Sequence, residues 1–454
     1  MEFLDRQEEL ARLVRFLDLQ EGAMVCLYGR RRIGKSRLIE EALKGRDNAV
    51  VHIADNSESA LQRARLARDI AAVVPGFADV SYGDWGVLFD RWQRDAPRGS
   101  VLVIDELPYL VANAAELPSV LQRIADKLRS CGQKLILCGS SQRMMQGLVL
   151  KENEPLYGRA REIMKLEPIP FPWTKVAFQG LSTWERFKSY AVWGGIPRYW
   201  QLNEGCSLWE ALRRNVFSPL GVLREEPNFV LQDDLKDSIQ AVSVLSLIGQ
   251  GVCRSSEIAG RLQIPATGLV RPLNRLLSLG FIRREMPFGA DARTNKKTLY
   301  RLDDPFLRFW YTFVLPNYSD AYFLSDDTER KAIEPAFNVF LGEAWENLVR
   351  SELGRRPIDG VGGRWRKARR WWGTGLDRRQ MELDIVAESI DGKTLLVGEA
   401  KLSLTEKEAQ RELAELEAKV RLLPLARDYE RTVTKLFVAK GGVKGAVSLE
   451  WLDG

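Results

Sequence analysis

Short, continuous apolar runs recur through the first third of the chain, and each ends at a glycine or a polar residue. Residues 24–28, 101–104 and 134–138 are the clearest of these runs. Apolar stretches of this length, without alternation, are typical of strands buried on both faces of a parallel sheet. Helical periodicity follows the first run, over residues 37–44. The pattern therefore predicts an α/β domain in this part of the chain.

The middle of the chain has a different pattern of apolar and polar positions, which predicts helices followed by a β-hairpin. Apolar positions recur at helical spacing over residues 238–249, 255–262 and 267–279. A strand then starts at residue 280, a polar loop covers 289–297, and a second strand covers 298–302. Three helices and a hairpin in this order are the plan of a winged helix-turn-helix module.

A module of this kind can bind DNA through its third helix and its wing. The polar and basic side chains that these two elements would present to DNA are Thr267, Arg271 and Arg275 on the helix, and Arg293, Lys296 and Lys297 on the wing. The same module also serves as a rigid spacer or a protein contact, so the plan alone leaves both functions open. The aromatic run that follows, residues 304–313, is expected to be core.

A glycine-rich loop follows the first apolar run directly and leads into a helical pattern. It has the form G-x-x-x-x-G-K-[ST] in the strand–loop–helix context that this pattern requires. Backbone N–H groups of such a loop close around phosphate oxygens, and the next helix points its positive end at them. Lys35 can reach the β- and γ-phosphates, and Ser36 can hold Mg²⁺. The candidate ATP-binding residues are Gly29, Arg30, Arg31, Arg32, Ile33, Gly34, Lys35, Ser36 and Arg37.

Acidic and polar residues at the ends of the next two runs complete this site. Asp105 and Glu106 follow one run, and Ser140 comes just after the other. Parallel strands place their carboxyl ends at one edge, where α/β sheets bind ligands. Asp105 is the candidate second ligand of Mg²⁺, Glu106 orients or deprotonates the attacking water, and Ser140 contacts the γ-phosphate or the water. Lys35 and Glu106 are the catalytic candidates here.

The order of these motifs resembles the AAA-like P-loop ATPases, and within them the STAND-type archaeal ATPases. The segments FLDRQEEL (3–10), LYGRAR (156–161) and WGGIP (193–197) are also similar to motifs of that family. The resemblance implies a central sheet of order 5-1-4-3-2 and a helical lid. It also implies that Arg159 or Arg161 stabilises the γ-phosphate, in cis or between subunits of a homo-oligomer. A surface or ion-pair role is the alternative for both arginines, and Arg159 is the candidate for phosphate contact.

Carboxylates and a lysine recur on two predicted strands in the last third of the chain. Residues 381–387 and 395–401 alternate as strands, and an Asp-Gly pair between them predicts a hairpin turn. Pairing these strands would bring Asp384, Glu399 and Lys401 together. Phosphodiester hydrolysis needs such a set, because carboxylates hold Mg²⁺ and a lysine steadies the nucleophile or the transition state.

This D…E-x-K spacing resembles the PD-(D/E)xK restriction-endonuclease-like superfamily, with Leu383 in place of the proline. The resemblance implies a nuclease-like domain with a catalytic core of Asp384, Glu399 and Lys401. Asp384 and Glu399 would be metal ligands, and Glu346, on a helix predicted over residues 337–353, would be an additional one. Two further polar residues are open to either a site role or a solvated one, namely Glu382 and Gln410. A domain that keeps these residues for binding alone is the alternative to an active nuclease.

The amino-acid composition argues against several kinds of functional site. The chain has 454 residues, a net charge of +6, one histidine (His52) and five cysteines without a CxxC pair. These counts argue against a His-rich metal site, a zinc ribbon and a disulfide framework, and they favour a reducing cytoplasm. No apolar run approaches the roughly 20 residues of a membrane span. Residues 254–303 carry ten basic and four acidic residues, and residues 355–380 carry nine and two, which suits either a polyanion partner or a solvated surface.

Together these patterns predict a multidomain α/β plus α protein with four domains. They are a P-loop ATPase domain (1–172), a helical lid (173–236), a winged helix-turn-helix (237–314) and a nuclease-like α/β domain (315–454). The predicted function is an ATP- and Mg²⁺-dependent ATPase that acts as a nucleotide-dependent switch on nucleic acid, DNA more than RNA, without a membrane partner. The first alternative is a nucleotide-dependent DNA-binding regulator whose C-terminal domain does not cleave. The second is an ATPase scaffold that contacts only proteins.

Overall fold

The computed structural model describes residues 3–203, 205–235, 239–291, 297–319, 327–358 and 361–453. The chain divides into two units, each assembled from three stretches of sequence. The first unit comprises Met1–Ile169, Gly195–Gln201 and Asn228–Lys236, and the second comprises Pro170–Gly194, Leu202–Pro227 and Asp237–Gly454. The boundaries of the four domains proposed from sequence stay a prediction.

The first unit is built on a five-stranded parallel sheet. Its strands are β1 (Ala23–Gly29), β2 (Ala49–Ile53), β3 (Val101–Asp105), β4 (Lys134–Gly139) and β5 (Glu162–Leu166). Their order is β2-β3-β4-β1-β5 with every neighbouring pair parallel, which confirms the predicted order 5-1-4-3-2. The central strands β1, β3 and β4 are buried almost throughout, and this double-sided burial is why each reads as an uninterrupted apolar run.

Seven helices connect or precede these strands. They are α1 (Gln7–Leu17), α2 (Lys35–Ala42), α3 (Ser59–Ile70), α4 (Trp85–Asp95), α5 (Leu107–Asn113), α6 (Leu117–Cys131) and α7 (Gln142–Leu150). Helix α4 begins after Asp84, whose side chain caps the helix by accepting a 2.9 Å hydrogen bond from the amide of Val87. The large side chains of α4, Trp85, Phe89 and Trp92, are fully buried in the core beside the sheet.

Five further helices follow in the part of the chain that was predicted to be helical. They are α8 (Thr174–Ala177), α9 (Thr183–Trp193), α10 (Pro197–Leu202), α11 (Leu208–Leu212) and α12 (Glu226–Leu235). All of α10 except its last residue belongs to the first unit, whereas α8, α9 and α11 belong to the second. The sequence pattern predicted the helices but not this division, since it depends on contacts distant in sequence.

The middle segment contains the predicted succession of three helices and a hairpin. The elements are α13 (Ile239–Gly249), α14 (Ser255–Leu262), α15 (Val270–Ser278), β6 (Ile282–Glu285) and β7 (Leu299–Leu302), and the two strands pair antiparallel. Helix α15 buries Leu273 and Leu276, while Arg271 is exposed. Arg293 and Lys296 of the predicted wing lie outside the described residues. The winged-helix assignment itself stays a prediction.

Among the described residues, two α-helices lie between the hairpin and the last sheet, namely α16 (Pro305–Phe309) and α17 (Asp327–Glu352). The expectation that the aromatic run is core is confirmed, since Phe306, Phe309 and Phe313 are all buried. Helix α17 begins ten residues before the predicted position. Its first turns are mostly exposed and contain Pro335, so they carry no apolar periodicity from which a helix could be predicted.

A four-stranded mixed sheet completes the second unit. Its strands are β8 (Arg369–Thr374), β9 (Gln380–Glu388), β10 (Thr394–Ser403) and β11 (Arg431–Lys440), in the order β11-β10-β9-β8. The predicted hairpin is confirmed by antiparallel pairing of β9 with β10, whereas β11 lies parallel to β10. Helix α18 (Glu406–Arg421) starts at a capping box formed by Thr405 and Glu408. Among the described residues, no helix is both long enough and apolar enough to cross a membrane.

Candidate functional site

The loop between β1 and α2 holds its lysine against its own backbone. Lys35 Nζ donates hydrogen bonds to the carbonyl oxygens of Gly29, at 3.1 Å, and Arg30, at 3.2 Å. Only 6% of Lys35 is exposed, so the ammonium stands within the loop rather than in solvent. Gly34 has a φ of 97° at the start of α2, a left-handed conformation that glycine adopts without steric cost. The predicted phosphate loop is therefore formed and compact.

The polar residues predicted at the strand ends meet beside this loop. Ser36 Oγ donates a 2.6 Å hydrogen bond to Asp105 Oδ2, and Asp105 is buried. Glu106 Oε2 accepts hydrogen bonds from Ser140 Oγ at 2.7 Å and from the Ser140 amide at 2.9 Å. Glu106 has a φ of 55°, a strained conformation for a non-glycine residue that costs about 1–3 kcal/mol and persists only where the surroundings impose it.

A cavity of about 350 Å³ opens over the loop. The residues that line it are Phe3, Leu4, Arg6, Arg32, Ile33, Gly34, Lys35, Ser36, Arg37, Glu106, Ile169, Pro197, Arg198 and Gln201. The N-terminal segment is tied to the loop by Arg6, which donates to the carbonyl oxygens of Ile33 and Glu167. A volume in this range accommodates a nucleotide-sized ligand, since ligand pockets run from about 300 Å³ upward.

The lining of this cavity includes two polar residues that sequence reasoning missed, Arg198 and Gln201 of α10. They come within reach because Gly195 lies against the backbone of Ile169. The Ile169 amide donates a 2.8 Å hydrogen bond to the Gly195 carbonyl, and a Cβ on Gly195 would stand 2.0 Å from the Ile169 oxygen. The paired glycines of the WGGIP segment were the signal, because they mark a close backbone approach just before α10.

The arginines of the LYGRAR segment are placed elsewhere. Arg159 Nε lies 2.8 Å from Asp126 Oδ1, and neither Arg159 nor Arg161 lines the cavity. Arg159 thus makes the ion pair given as its alternative, and its contact with a phosphate in cis stays a prediction. A role for either arginine between subunits stays a prediction.

The three core residues of the C-terminal pattern lie next to one another. The Ala400 amide donates a 3.1 Å hydrogen bond to Asp384 Oδ2, which places the aspartate beside β10. Glu399 Oε2 is 3.5 Å from Lys401 Nζ, and Glu399 Oε1 is 2.7 Å from Lys419 Nζ. Burial, together with the neighbouring Asp384, raises the pKa of Glu399 to about 7, although Lys419 opposes that shift. Each oxygen of Glu399 thus has an ammonium partner.

Glu346 approaches this cluster from α17, as predicted. Burial and the charge of Asp384 raise the pKa of Glu346. Arg350 pairs with Glu346 Oε2 at 3.3 Å and donates a 2.8 Å hydrogen bond to the Asp384 carbonyl oxygen. Glu382, by contrast, pairs with Arg370 at 3.2 Å.

Within the described part of the chain, no group of three or more acidic, histidine or cysteine side chains is arranged to hold a metal ion. Metal ligation by Glu346, Asp384 and Glu399 therefore stays a prediction. Gln410 is exposed on α18. Arg350 and Lys419 were missed, and nothing in the pattern distinguishes Lys419 from the other charged positions of α18.

Two family models match separate parts of the chain. Residues 3–199 match an ATPase domain predominantly from Archaea. Residues 310–413 match a family of archaeal and bacterial proteins of unknown function. All residues that line the cavity over the loop fall within the matched range 3–199 except Gln201, which lies just beyond it.

Comparison with individual proteins extends beyond the ATPase domain. An uncharacterized protein of Methanocaldococcus jannaschii is 28% identical over 432 residues, which is 94% of each chain. A Walker-type ATPase of Pyrococcus abyssi, 19% identical, has a similar fold, with a TM-score of 0.53 over 68% of this chain and 96% of that one. The ORC2 protein of Aeropyrum pernix, in ADPNP and ADP complexes, gives a TM-score of 0.47 at 16% identity, over 70% of this chain and 94% of that one.

Proposed function

We propose that this protein binds and hydrolyses ATP at the P-loop and uses the nucleotide state as a switch on nucleic acid. The contact between Ser36 and Asp105 carries the first half of this proposal, because it joins a P-loop hydroxyl and a strand-end carboxylate at 2.6 Å. Both are oxygen donors of the kind that hold Mg²⁺ in such sites, so the residues present fit the ion.

The side chains around the cavity would have different roles in ATP hydrolysis. Lys35, which now donates to loop carbonyls, would turn its ammonium to the β- and γ-phosphates of ATP. Ser36 and Asp105 would hold Mg²⁺, which neutralises charge on the phosphates. Glu106, fixed by Ser140, would orient the attacking water and accept its proton. Arg198 would add a positive charge from α10.

The second half of the proposal is supported by charge. Residues 254–303 and 355–380 are strongly basic. Of the residues that the predicted winged helix would present to DNA, Thr267, just before α15, and Arg271, in the first turn of α15, are exposed. Positive surfaces of this kind attract the phosphate backbone and release counterions when it binds. Binding that weakens steeply with salt is the expected consequence.

The C-terminal cluster has two candidate functions, metal-dependent cleavage and binding without cleavage. The acidic side chains are already paired with cations, since Glu399 lies between Lys401 and Lys419 and Glu346 pairs with Arg350. In this arrangement the carboxylates are not grouped to hold a metal ion, and we derive no hydrolytic step through one. The ion pairs favour the regulatory form of the proposal, in which the domain binds nucleic acid without cutting it.

One set of assays tests both halves. ATP hydrolysis and cleavage of plasmid DNA and mixed RNA are measured with Mg²⁺ or Mn²⁺, for wild type, Lys35→Ala and Lys401→Ala. Binding of the same DNA and RNA is measured from low to high salt. Lys44→Ala, two residues after the end of α2, and Lys407→Ala, on α18, are the matched controls. We expect hydrolysis to be lost only in Lys35→Ala, and salt-sensitive DNA binding to occur without cleavage.

Each other result has a defined meaning. Cleavage that is lost in Lys401→Ala and retained in Lys407→Ala would establish the nuclease and contradict the regulatory form. A well-folded protein with no affinity for DNA or RNA even at low salt would contradict the nucleic-acid half and favour the scaffold that contacts only proteins.

A further inference from the structure

A second cavity, of about 440 Å³, lies entirely within the second unit. Its walls come from the hairpin β6–β7, from α9 and α17, and from residues 367–372 at the start of β8. A cavity of this size accommodates a small ligand or one unit of a polymer. Neither ATP binding at the P-loop nor the predicted metal site accounts for it.

The lining of this cavity is strongly basic, with seven basic and two acidic side chains. Three of the arginines are largely buried, and their side chains are 13% (Arg308), 11% (Arg350) and 18% (Arg370) exposed. Burial lowers the pKa of Arg308 to about 10, although Glu343 opposes that shift. Burial therefore destabilises the charged form of Arg308 by more than the ion pair with Glu343 stabilises it. An anion bound in the cavity would stabilise this positive charge further.

Two more basic side chains stand at the exposed edge of the lining. Lys367 and Arg369 both line the cavity and both are exposed. Within the described stretches of the chain, neither makes an ion pair or a side-chain hydrogen bond. They are thus available to an incoming anion without first giving up a protein partner, unlike the buried arginines.

Apart from Asn347 and Ser351, the rest of the lining is mainly apolar, and it includes three aromatic residues, Phe187, Tyr190 and Trp372. Aromatic side chains beside basic ones are the combination that binds a nucleotide, because bases stack on rings while phosphates pair with cations. We propose that this cavity binds one nucleotide unit, with its base against the aromatic wall and its phosphate at Lys367 and Arg369. The unit is either a free nucleotide or part of a nucleic-acid strand.

Arg350 connects this cavity to the carboxylate cluster. It lines the cavity, pairs with Glu346 and donates to the Asp384 carbonyl oxygen. A strand bound in the cavity would therefore lie beside Asp384 and Glu399. If the ligand is a nucleic-acid strand, this inference rests on the proposed function. If the ligand is a free nucleotide it does not, because such binding requires neither ATP hydrolysis nor action on nucleic acid.

Binding is measured on the full chain carrying Lys35→Ala, which weakens nucleotide binding at the P-loop. A failure of binding at this cavity can then be distinguished from a failure of the proposed ATP site. The probe is a fluorescein-labelled single-stranded oligonucleotide followed by anisotropy, with unlabelled AMP and inorganic phosphate as competitors. Direct AMP binding is measured by calorimetry. Lys367→Ala with Arg369→Ala removes the charges at the edge, and Ala344→Phe fills the cavity from α17 without changing charge. Arg431→Ala with Lys444→Ala removes two exposed charges outside the lining.

We expect Lys367→Ala with Arg369→Ala to bind the oligonucleotide about tenfold more weakly, because charged hydrogen bonds to phosphate are lost. The slope of log affinity against log salt concentration should decrease by the amount expected for about two lost phosphate contacts. Ala344→Phe should lose binding with its fold intact by circular dichroism, and the control pair should bind within about twofold of the parent. Displacement of the probe by AMP identifies a free nucleotide as sufficient. Cavity-dependent oligonucleotide binding without displacement by AMP identifies the strand.

Three results would overturn the proposal. Equal weakening in the control pair would show general surface attraction rather than a site. Displacement by phosphate as effective as by AMP would show that the base is not recognised. Absence of binding for both AMP and the oligonucleotide would leave the cavity without a nucleotide ligand.

Discussion

Ser36 Oγ lies 2.6 Å from Asp105 Oδ2, although the two residues are 69 positions apart in sequence. They meet because β1 and β3 run parallel in one sheet, with β4 between them, and end at the same edge. A hydroxyl and a carboxylate at this distance are suited to share one divalent cation. This pair is the structural basis of the proposed Mg²⁺–ATP site.

Asp105→Asn should therefore abolish Mg²⁺-dependent ATP hydrolysis. Removing the charge that holds the ion is expected to lower the rate roughly a hundredfold or more, because metal stabilisation of phosphate charge supplies several kcal/mol. Steady-state phosphate release, titrated with Mg²⁺, measures the effect. Asp90→Asn, which removes an exposed carboxylate paired with Arg123, should behave as wild type. Equal rates in the two variants would remove Asp105 from the site.

Glu106→Gln should separate ATP binding from hydrolysis. The amide preserves the size of the side chain beside Ser140 but cannot accept a proton from water, so hydrolysis should fall by about 10²–10⁴-fold. The affinity for ATP, measured by calorimetry, should stay close to that of wild type. Glu116→Gln, at an exposed position before α6, is the control. Unchanged turnover in Glu106→Gln would mean that another group activates the water.

Gly195→Ala should destabilise the first unit and weaken ATP binding together. The added Cβ would stand 2.0 Å from the Ile169 oxygen, so backbone must shift at a cost of about 3 kcal/mol or more. Pro197 and Arg198, which line the cavity, would move with it. Gly147→Ala on α7 meets no atom within 4 Å and should stabilise by up to about 1 kcal/mol. Thermal unfolding and ATP titration measure both, and similar behaviour of the two variants would contradict the close approach.

The stability of wild type should fall with rising pH relative to Glu399→Gln. The Glu399 pKa of about 7 is above the ordinary value of 4.5, so the folded chain holds this proton where the unfolded chain has lost it. The resulting loss is on the order of 3 kcal/mol at most between about pH 4.5 and pH 7. The charged groups that face Glu399 are Asp384, Lys401 and Lys419.

Urea unfolding at about pH 5 and about pH 8 measures this difference, with Glu417→Gln on α18 as the control that should follow wild type. A difference between wild type and Glu399→Gln that does not change with pH would show that Glu399 is ionised across the range. The pairing with the two lysines would then outweigh burial.

Local patterns were sufficient to predict that the residues of the proposed ATP site lie together, because these residues stand at the ends of buried strands. Asp105, Glu106 and Ser140 each stand at a strand end, so the parallel sheet assembles them without further information. Arg198 and Gln201 could not be predicted in the same way. They reach the cavity through the contact of Gly195 with Ile169, which joins segments distant in sequence.

In the last sheet, the hairpin could be predicted from local patterns, but a neighbouring strand and the partners of the carboxylates could not. The hairpin of β9 and β10 was predicted from alternation and its Asp-Gly turn, and its carboxylates do lie together. Strand β8 was not predicted, because its basic residues belong to the stretch 355–380, which was interpreted by charge alone as suited to a polyanion partner or a solvated surface. The partners Lys419 and Arg350 could not be predicted, since which of many charged helix positions meets Glu399 or Glu346 depends on how α18 and α17 pack on the sheet.

The central claim, a nucleotide-dependent switch on nucleic acid, is tested most directly by the affinity for DNA in two nucleotide states. Glu106→Gln protein is titrated with fluorescent duplex DNA in the presence of Mg²⁺ and either ATP or ADP, beside the same protein carrying Lys35→Ala. We predict affinities that differ by about fivefold or more between ATP and ADP, and no difference once Lys35 is removed. Equal affinities with ATP and ADP, in protein that binds both nucleotides, would contradict the switch.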